Sequence, residues 1–363
     1  MSPRTEALFN DRLFVAPSER ISVDDVFALS EEMQHFLSAR LTAKQRGTDP
    51  RVELVDAIYV KGQLRLDYDS ATTRNAAQAF AARSGNCLSL VIMTAAFARA
   101  MGLPVQFQSV YVDQTVVRDD DMLYFIGHVN LNLGTRQGTS QSKSSGPELL
   151  TVDFLPPSEA QRLRTRRIGD ETIVAMYMNN KAAEAIARGK LDDAYWWARA
   201  AVAQAPDFLS IYNTLGVLYR RHGNPAEARK VLAYALERDP ENTHAMANLV
   251  GVLNDLGQTA EAKNVARKLE RLEPNPPYGY FDSGLQAMRD GNYPAARDLF
   301  AKEVERSPHV HEFHFWLANA YAALGDAARA RSQMLLALEY SATGREHDLY
   351  ATKLARLKSG QIR

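Results

Sequence analysis

The sequence predicts an α+β domain followed by an all-α repeat solenoid, and three observations carry that division. Residues 84–103, SGNCLSLVIMTAAFARAMGL, set Leu88, Val91, Ile92, Ala95 and Ala96 at helical spacing directly after the single cysteine of the chain, Cys87. Beyond it, residues 105–112, 126–133 and 149–155 have the alternation or the apolar, β-branched content of strands. From about Ala175 the chain turns alanine-rich and periodic, with Pro206, Pro240, Pro274 and Pro308 each 34 residues apart.

Composition narrows the function classes. The chain is long enough, at 363 residues, for two or three domains, and its 43 Lys and Arg balance 43 Asp and Glu, so no overall field draws it to nucleic acid or an anionic membrane. One cysteine forms no disulfide framework within the chain and excludes the usual cysteine zinc sites, so no metal or cofactor is expected. No run of about 18 uncharged apolar residues occurs, and no transmembrane segment is expected. Residues 1–20 hold no apolar signal core and read as an irregular leader. The chain as written is expected to be soluble and cytoplasmic, or periplasmic if a signal peptide has been removed.

Residues 21–168 make up the expected α+β domain. Ser22, Asp24 and Asp25 open a helix with Val26, Phe27, Leu29, Met33, Phe36 and Leu37 along one side, and helical sequence runs on to about Gly47. Residues 51–67 are compatible with helix or with short strands, and residues 73–83 read as a helix. Serine, glycine and asparagine at residues 84–86 are helix-start signals, so Cys87 falls in the first turn of a buried helix that Gly102 and Pro104 terminate. A helix N-terminus lowers a thiol's pKa and offers free N–H groups to an oxyanion. A lone cysteine in an apolar helix is, against that, most often a small buried hydrophobe. Along residues 126–133, IGHVNLNL, His128, Asn130 and Asn132 share one strand face, while Val129, Leu131 and Leu133 share the other. Residues 134–147 are a polar connection, and the following strand, ended by Pro156 and Pro157, pairs with its predecessor most simply as an antiparallel hairpin. His128 and Asp153 then meet across neighbouring strands.

Cys87 at a helix start, His128 on one strand and Asp153 on a following strand, 41 and then 25 residues apart, resemble bacterial transglutaminase-like domains of the papain-type, cysteine-protease-like fold. The Gly-x-Cys opening and Gly-Leu-Pro end of the helix add to the resemblance, which covers about residues 50–160. The chain departs from that family at Leu88, where an aromatic residue is usual, and in the long connection after His128. The resemblance implies a catalytic set of Cys87, His128 and Asp153: a thiolate nucleophile, an imidazole that shares its proton, and a carboxylate that fixes the imidazole's tautomer. The only other histidine before residue 200 is His35. Oxyanion donors would be the Cys87 N–H and a side-chain amide from Asn86, Gln106 or Gln108. The plain alternatives are a hydrogen-bonded strand histidine and a strand-end aspartate capping a turn.

Residues 169–174 read as a linker. Thereafter Gly189, Gly223, Gly257, Gly291 and Gly325, and Ala194, Ala228, Ala262, Ala296 and Ala330, keep the step of the prolines. That period is the tetratricopeptide signature. It predicts five helix pairs over about residues 175–208, 209–242, 243–276, 277–310 and 311–342, the first packed against the N-terminal domain. A capping helix and tail follow over residues 343–363. Solenoids of this kind bind protein or peptide segments in a groove, lined here by Asn213, Arg220, Asn254, Tyr278, Phe281, Phe315 and Asn319, or these are ordinary solvent-facing and interhelix residues. The RLRTRR run at residues 162–167 reads as a solvated linker rather than a nucleic-acid contact. The expected function is cysteine-dependent acyl transfer or amide or isopeptide hydrolysis with a partner recruited by the repeats. The alternative is an inactive domain in a binding scaffold.

Overall fold

A computed structural model of the chain describes residues 1–41, 49–59, 66–69, 72–119, 122–135, 149–154, 164–341 and 344–358. These fall into two compact units, Met1–Leu269 and Glu270–Arg363.

In the first unit, helix α1 (Pro3–Glu6), a 3₁₀ turn (Asp11–Leu13) and helix α2 (Glu31–Leu41) come first. The helix expected to open at Ser22 opens at Ser30 instead, whose Oγ accepts from the Met33 N–H, with Glu31 and Glu32 in the first turn. Its expected continuation to Gly47 lies outside the described residues. The ambiguous stretch divides into helix α3 (Pro50–Tyr59) and strand β1 (Asp67–Tyr68), which pairs in parallel with β2 (Ser84–Gly85). Helix α4 (Ala76–Ala82) starts at a reciprocal capping box between Asn75 and Gln78, and Arg83 leaves it in the left-handed region. Helix α5 (Cys87–Ala100) ends as its sequence predicts: Leu103 N–H reaches Ala98 C=O and Gly102 N–H reaches Arg99 C=O, with Gly102 at φ 70°.

Four strands follow in the antiparallel order β5-β4-β3-β6: β3 (Val105–Asp119), β4 (Met122–Gly134), β5 (Leu149–Val152) and β6 (Arg164–Ile168). The expected β4–β5 hairpin is present. The RLRTRR run is no linker over its described part: Arg164 to Ile168 pair with Tyr111 to Phe107 as an edge strand. Main-chain hydrogen bonds supply the pairing that a polar side-chain pattern conceals, and charged residues suit an edge. The α5 side chains Leu90, Val91, Ile92 and Phe97 form one core with Phe107, Val129, Leu131 and Val152 of the sheet.

The expected linker at residues 169–174 is likewise absent, because α6 (Asp170–Ala187) begins one residue after Gly169. Helix pairs α6 with α7 (Leu191–Gln204), α8 (Ser210–Arg221) with α9 (Pro225–Arg238), and α10 (Thr243–Asp255) with α11 (Thr259–Leu272) follow. Gly189, Gly223 and Gly257 sit at φ 72°, 81° and 72° in the turns inside these pairs, where an L side chain is strained. Gly216 lets α8 and α9 close up: a Cβ there would stand 2.7 Å from Leu232 Cγ. The first pair packs on the N-terminal half as expected. Arg99 of α5 pairs with Asp170 at 2.6 Å, and Thr73 N–H donates to Glu184 Oε1 at 2.6 Å.

The leader is not irregular filler. Phe14 is buried, its ring stacked on Tyr195 at 3.9 Å and 8°. Asp11 accepts from Tyr195 Oη at 2.5 Å and from Arg199 Nε at 2.9 Å. Asp193 accepts from the Ser18 N–H and hydroxyl, Trp196 donates to Val15 C=O, and Arg4 pairs with Glu237. These contacts to α7 and α9, with those of α6, explain why one compact unit holds both the sheet and the first repeats.

The second unit contains α12 (Gly279–Arg289), α13 (Tyr293–Arg306), α14 (His311–Ala323), α15 (Ala327–Glu339) and α16 (Gly344–Lys358). Gly284 admits the Phe300 ring, 2.6 Å from where a Cβ would lie. The buried Glu303 carboxylate accepts from the Tyr280 and Phe281 N–H groups at the start of α12. The expected capping helix is α16, which sets Tyr350, Leu354 and Leu357 against Ala318, Ala330, Met334 and Ala337.

Candidate active site

The Cys87 position is built by a helix cap. Asn86 Oδ1 accepts from Ser89 N–H at 2.9 Å and Ser89 Oγ at 2.8 Å, and its Nδ2 donates to Thr73 Oγ1 at 2.9 Å. Ser89 Oγ in turn accepts from the Arg74 N–H at 2.8 Å. Gly85 is needed because a Cβ there would stand 2.7 Å from Ser89 Cβ. Cys87 opens α5 directly behind this cap and is 8% exposed.

The sheet brings the other two residues to one place. His128 is opposite Val110, Asn130 opposite Gln108 and Asn132 opposite Gln106 across the β3–β4 ladder, so these side chains share a face. On the other flank Asn132 is opposite Thr151, and Asp153 follows the last β5 residue, Val152. His128 Nε2 lies 2.6 Å from Asp153 Oδ1, and Asn130 Nδ2 donates to Asp153 Oδ2 at 2.7 Å. The Cys87 side chain lies near enough to the His128 imidazole to help raise its pKa. The three expected residues therefore converge on one buried imidazole, 5% exposed. Burial opposes its charge, but the hydrogen bond to Asp153, the carboxylate's charge and the neighbouring Cys87 outweigh burial and raise its pKa to about 9.

The expected oxyanion amides fare differently. Asn86 spends its Oδ1 on the cap and one N–H of its Nδ2 on Thr73. Gln106 and Gln108 are half-buried on the His128 face, but Val110 stands directly opposite His128. The residue that sequence reasoning leaves without a role is Asn130; its place on the His128 face is its only signal, and its bond to Asp153 depends on a register set by the fold.

The expected groove residues also separate. In the first unit, Asn213 accepts from Asn248 Nδ2 at 2.8 Å, Arg220 pairs with Asp255 at 2.6 Å, and Asn254 is exposed. In the second unit, Tyr278 and Phe281 are core residues rather than groove lining. Their rings pack on Phe313 at 4.9 and 5.2 Å, because the first turn of α12 faces inward. Phe315 lies against Tyr350 of the capping helix at 5.1 Å, and Asn319 donates to Phe315 C=O of its own helix. Among the described residues no cluster of three or more His, Cys, Asp or Glu forms a metal site, and no helix is long and apolar enough to cross a membrane.

Comparison with known proteins matches residues 38–137 to the transglutaminase-like superfamily and residues 219–280 and 281–345 to tetratricopeptide repeats. The first match contains Cys87 and His128 and stops short of Asp153. The human protein O-mannosyl-transferase TMTC3 is 30% identical over 124 residues, which are 33% of this chain and 13% of that protein. The chain thus spans about an eighth of the length of that curated relative. Among solved structures, a thermophilic TPR protein of Thermus thermophilus is 18% identical, covering 50% of this chain and 99% of its own, at a TM-score of 0.34. Pseudomonas aeruginosa pilF is 17% identical, covering 52% and 85% at 0.34. Yeast Tom70 is 16% identical, covering 52% and 40% at 0.39.

Proposed function

We propose, for a chain that carries a transglutaminase-like domain in residues 38–137 and tetratricopeptide repeats over residues 219–345, a cysteine-dependent acyl transfer, or amide or isopeptide hydrolysis, at Cys87. The observation that carries this reading is the buried His128 imidazole, bonded to Asp153 at 2.6 Å and with Cys87 near enough to help raise its pKa. Tetratricopeptide arrays are protein-binding architectures, and the repeats recruit a protein or peptide segment that delivers the acyl group.

In this mechanism the thiolate of Cys87 attacks the acyl carbon, and the developing oxyanion accepts from the Cys87 N–H at the start of α5. The His128 imidazolium gives its proton to the leaving amine as the carbon–nitrogen bond breaks, which leaves a thioester and a neutral imidazole. Water or an amine then attacks the thioester, His128 takes its proton, and the thiolate departs. Asp153 holds the ring so that one nitrogen always faces the sulfur. The test is alkylation of the full-length chain by iodoacetamide. Cys87 should react far faster than a free thiol near neutral pH, and His128→Ala should abolish the excess while leaving the thermal melt intact.

A second reading, a binding scaffold with no chemistry, draws on Leu88, the residue after Cys87, where the resembled family usually has an aromatic residue. Labelling of Cys87 no faster than a model thiol would favour it.

A further inference from the structure

His128 is held by a carboxylate that is itself held, and we infer that Asn130 is a positioning residue that orients Asp153 against the imidazole. The inference rests on the acyl-transfer reading above. Each oxygen of the Asp153 carboxylate has a donor from the same strand: Oδ1 meets His128 Nε2 at 2.6 Å, and Oδ2 accepts from Asn130 Nδ2 at 2.7 Å. The two donors are alternate residues of β4, so the strand pleat sets their spacing to match the two carboxylate oxygens.

Stability of the fold does not account for this asparagine. It is 4% exposed, and its Oδ1 has no hydrogen-bond partner among the described residues. A buried amide with an unpaired acceptor costs more than an apolar residue of similar size. Asn132, two residues along on the same face, makes the contrast: its Oδ1 accepts from Thr151 Oγ1 at 2.7 Å, directly across the β4–β5 ladder, and takes no part in holding the carboxylate. One asparagine ties strand to strand, and the other ties strand to Asp153.

The physical consequence is directional. An N–H on the second carboxylate oxygen restricts turning about the Cβ–Cγ bond and favours the charged form. Loss of that N–H weakens the hold on the imidazolium, and through it the partner that stabilises the Cys87 thiolate.

The test is the pH profile of iodoacetamide labelling of the full-length chain between about pH 4 and about pH 9, with melting temperature recorded for each variant. Asn130→Leu should move the acid limb of the profile upward by about one pH unit, which slows labelling on that limb about tenfold. Asn132→Leu should lower the melting temperature and leave the limb in place. If the leucine variant at position 130 does not fold, Asn130→Ser, too short to reach Oδ2, is read the same way. A limb that stays put in the position-130 variants while His128→Ala still removes the fast reaction overturns the positioning role and leaves the acyl-transfer reading standing. Wild-type labelling at the rate of a free thiol overturns both.

Discussion

His128 Nε2 stands 2.6 Å from Asp153 Oδ1, across two strands joined by a connection of 14 residues, 135–148. The contact exists because Leu131 pairs with Val152, which carries Asp153 alongside Asn130 and within reach of the ring. Removing the charge without changing the shape isolates its contribution. Asp153→Asn should return the imidazole from about 9 toward its ordinary range and slow Cys87 labelling near pH 7 about tenfold or more, with the fold retained on circular dichroism.

The same imidazole makes stability depend on pH. Its pKa in the folded chain is raised above the ordinary 6.5, so the stabilisation is fully present below about pH 6.5 and is lost as pH rises through about 9. The amount is up to about 3 kcal/mol. Melting temperature should therefore fall between those pH values more steeply for the wild type than for His128→Gln.

Two glycines of one helix pair separate close packing from backbone strain. Gly216→Ala drives a Cβ to 2.7 Å from Leu232 and should cost about 1–3 kcal/mol in chemical denaturation. Gly223→Ala meets open space at φ 81° and should cost about 1 kcal/mol from strain alone.

Phe14→Ala should destabilise the first unit by about 3 kcal/mol, since the ring is buried and stacked on Tyr195. Faster hydrogen exchange in α7 would show that the loss reaches the repeats; unchanged exchange there would mean that the leader rests on them without supporting them.

Glu303 should respond to acid in the opposite sense to most carboxylates. Burial raises its pKa against the opposing pull of Arg306 and of the Tyr280 and Phe281 N–H groups, so the folded chain holds the proton more tightly than the unfolded chain. Its contribution to stability therefore improves as pH falls from neutral through that raised pKa. Glu303→Gln keeps an acceptor for those N–H groups and should abolish this dependence, read as exchange protection of α12 and α13 amides at acid and neutral pH.

The parts of this fold legible in the sequence are those set by local rules. The Gly85-Asn86-Cys87 helix start, the turn at Gly102 and the 34-residue step each express a backbone constraint within a few residues. The β4–β5 pairing is also readable, because the alternation around His128 leaves one polar face. What escapes depends on distant partners. The Arg164–Ile168 strand is defined by the β3 edge it joins, not by its own side chains. Phe14 has no periodic neighbours, and its partner Tyr195 comes 181 residues later. Tyr278 and Phe281 have the spacing of groove residues, yet the orientation of α12 turns them into the core. The bonds of Asn86 to Ser89 and Thr73, which build the cap behind Cys87, likewise depend on contacts that the sequence does not display.

The docking of residues 4–18 on α7 and α9 has a consequence for biosynthesis. Their partners, from Asp193 to Glu237, leave the ribosome some two hundred residues later. During translation, Phe14 has no Tyr195 to stack on, and the segment around it stays exposed to chaperones. The first unit closes on residues 4–18 only when the second helix pair has emerged, so this segment waits for partners made well after it.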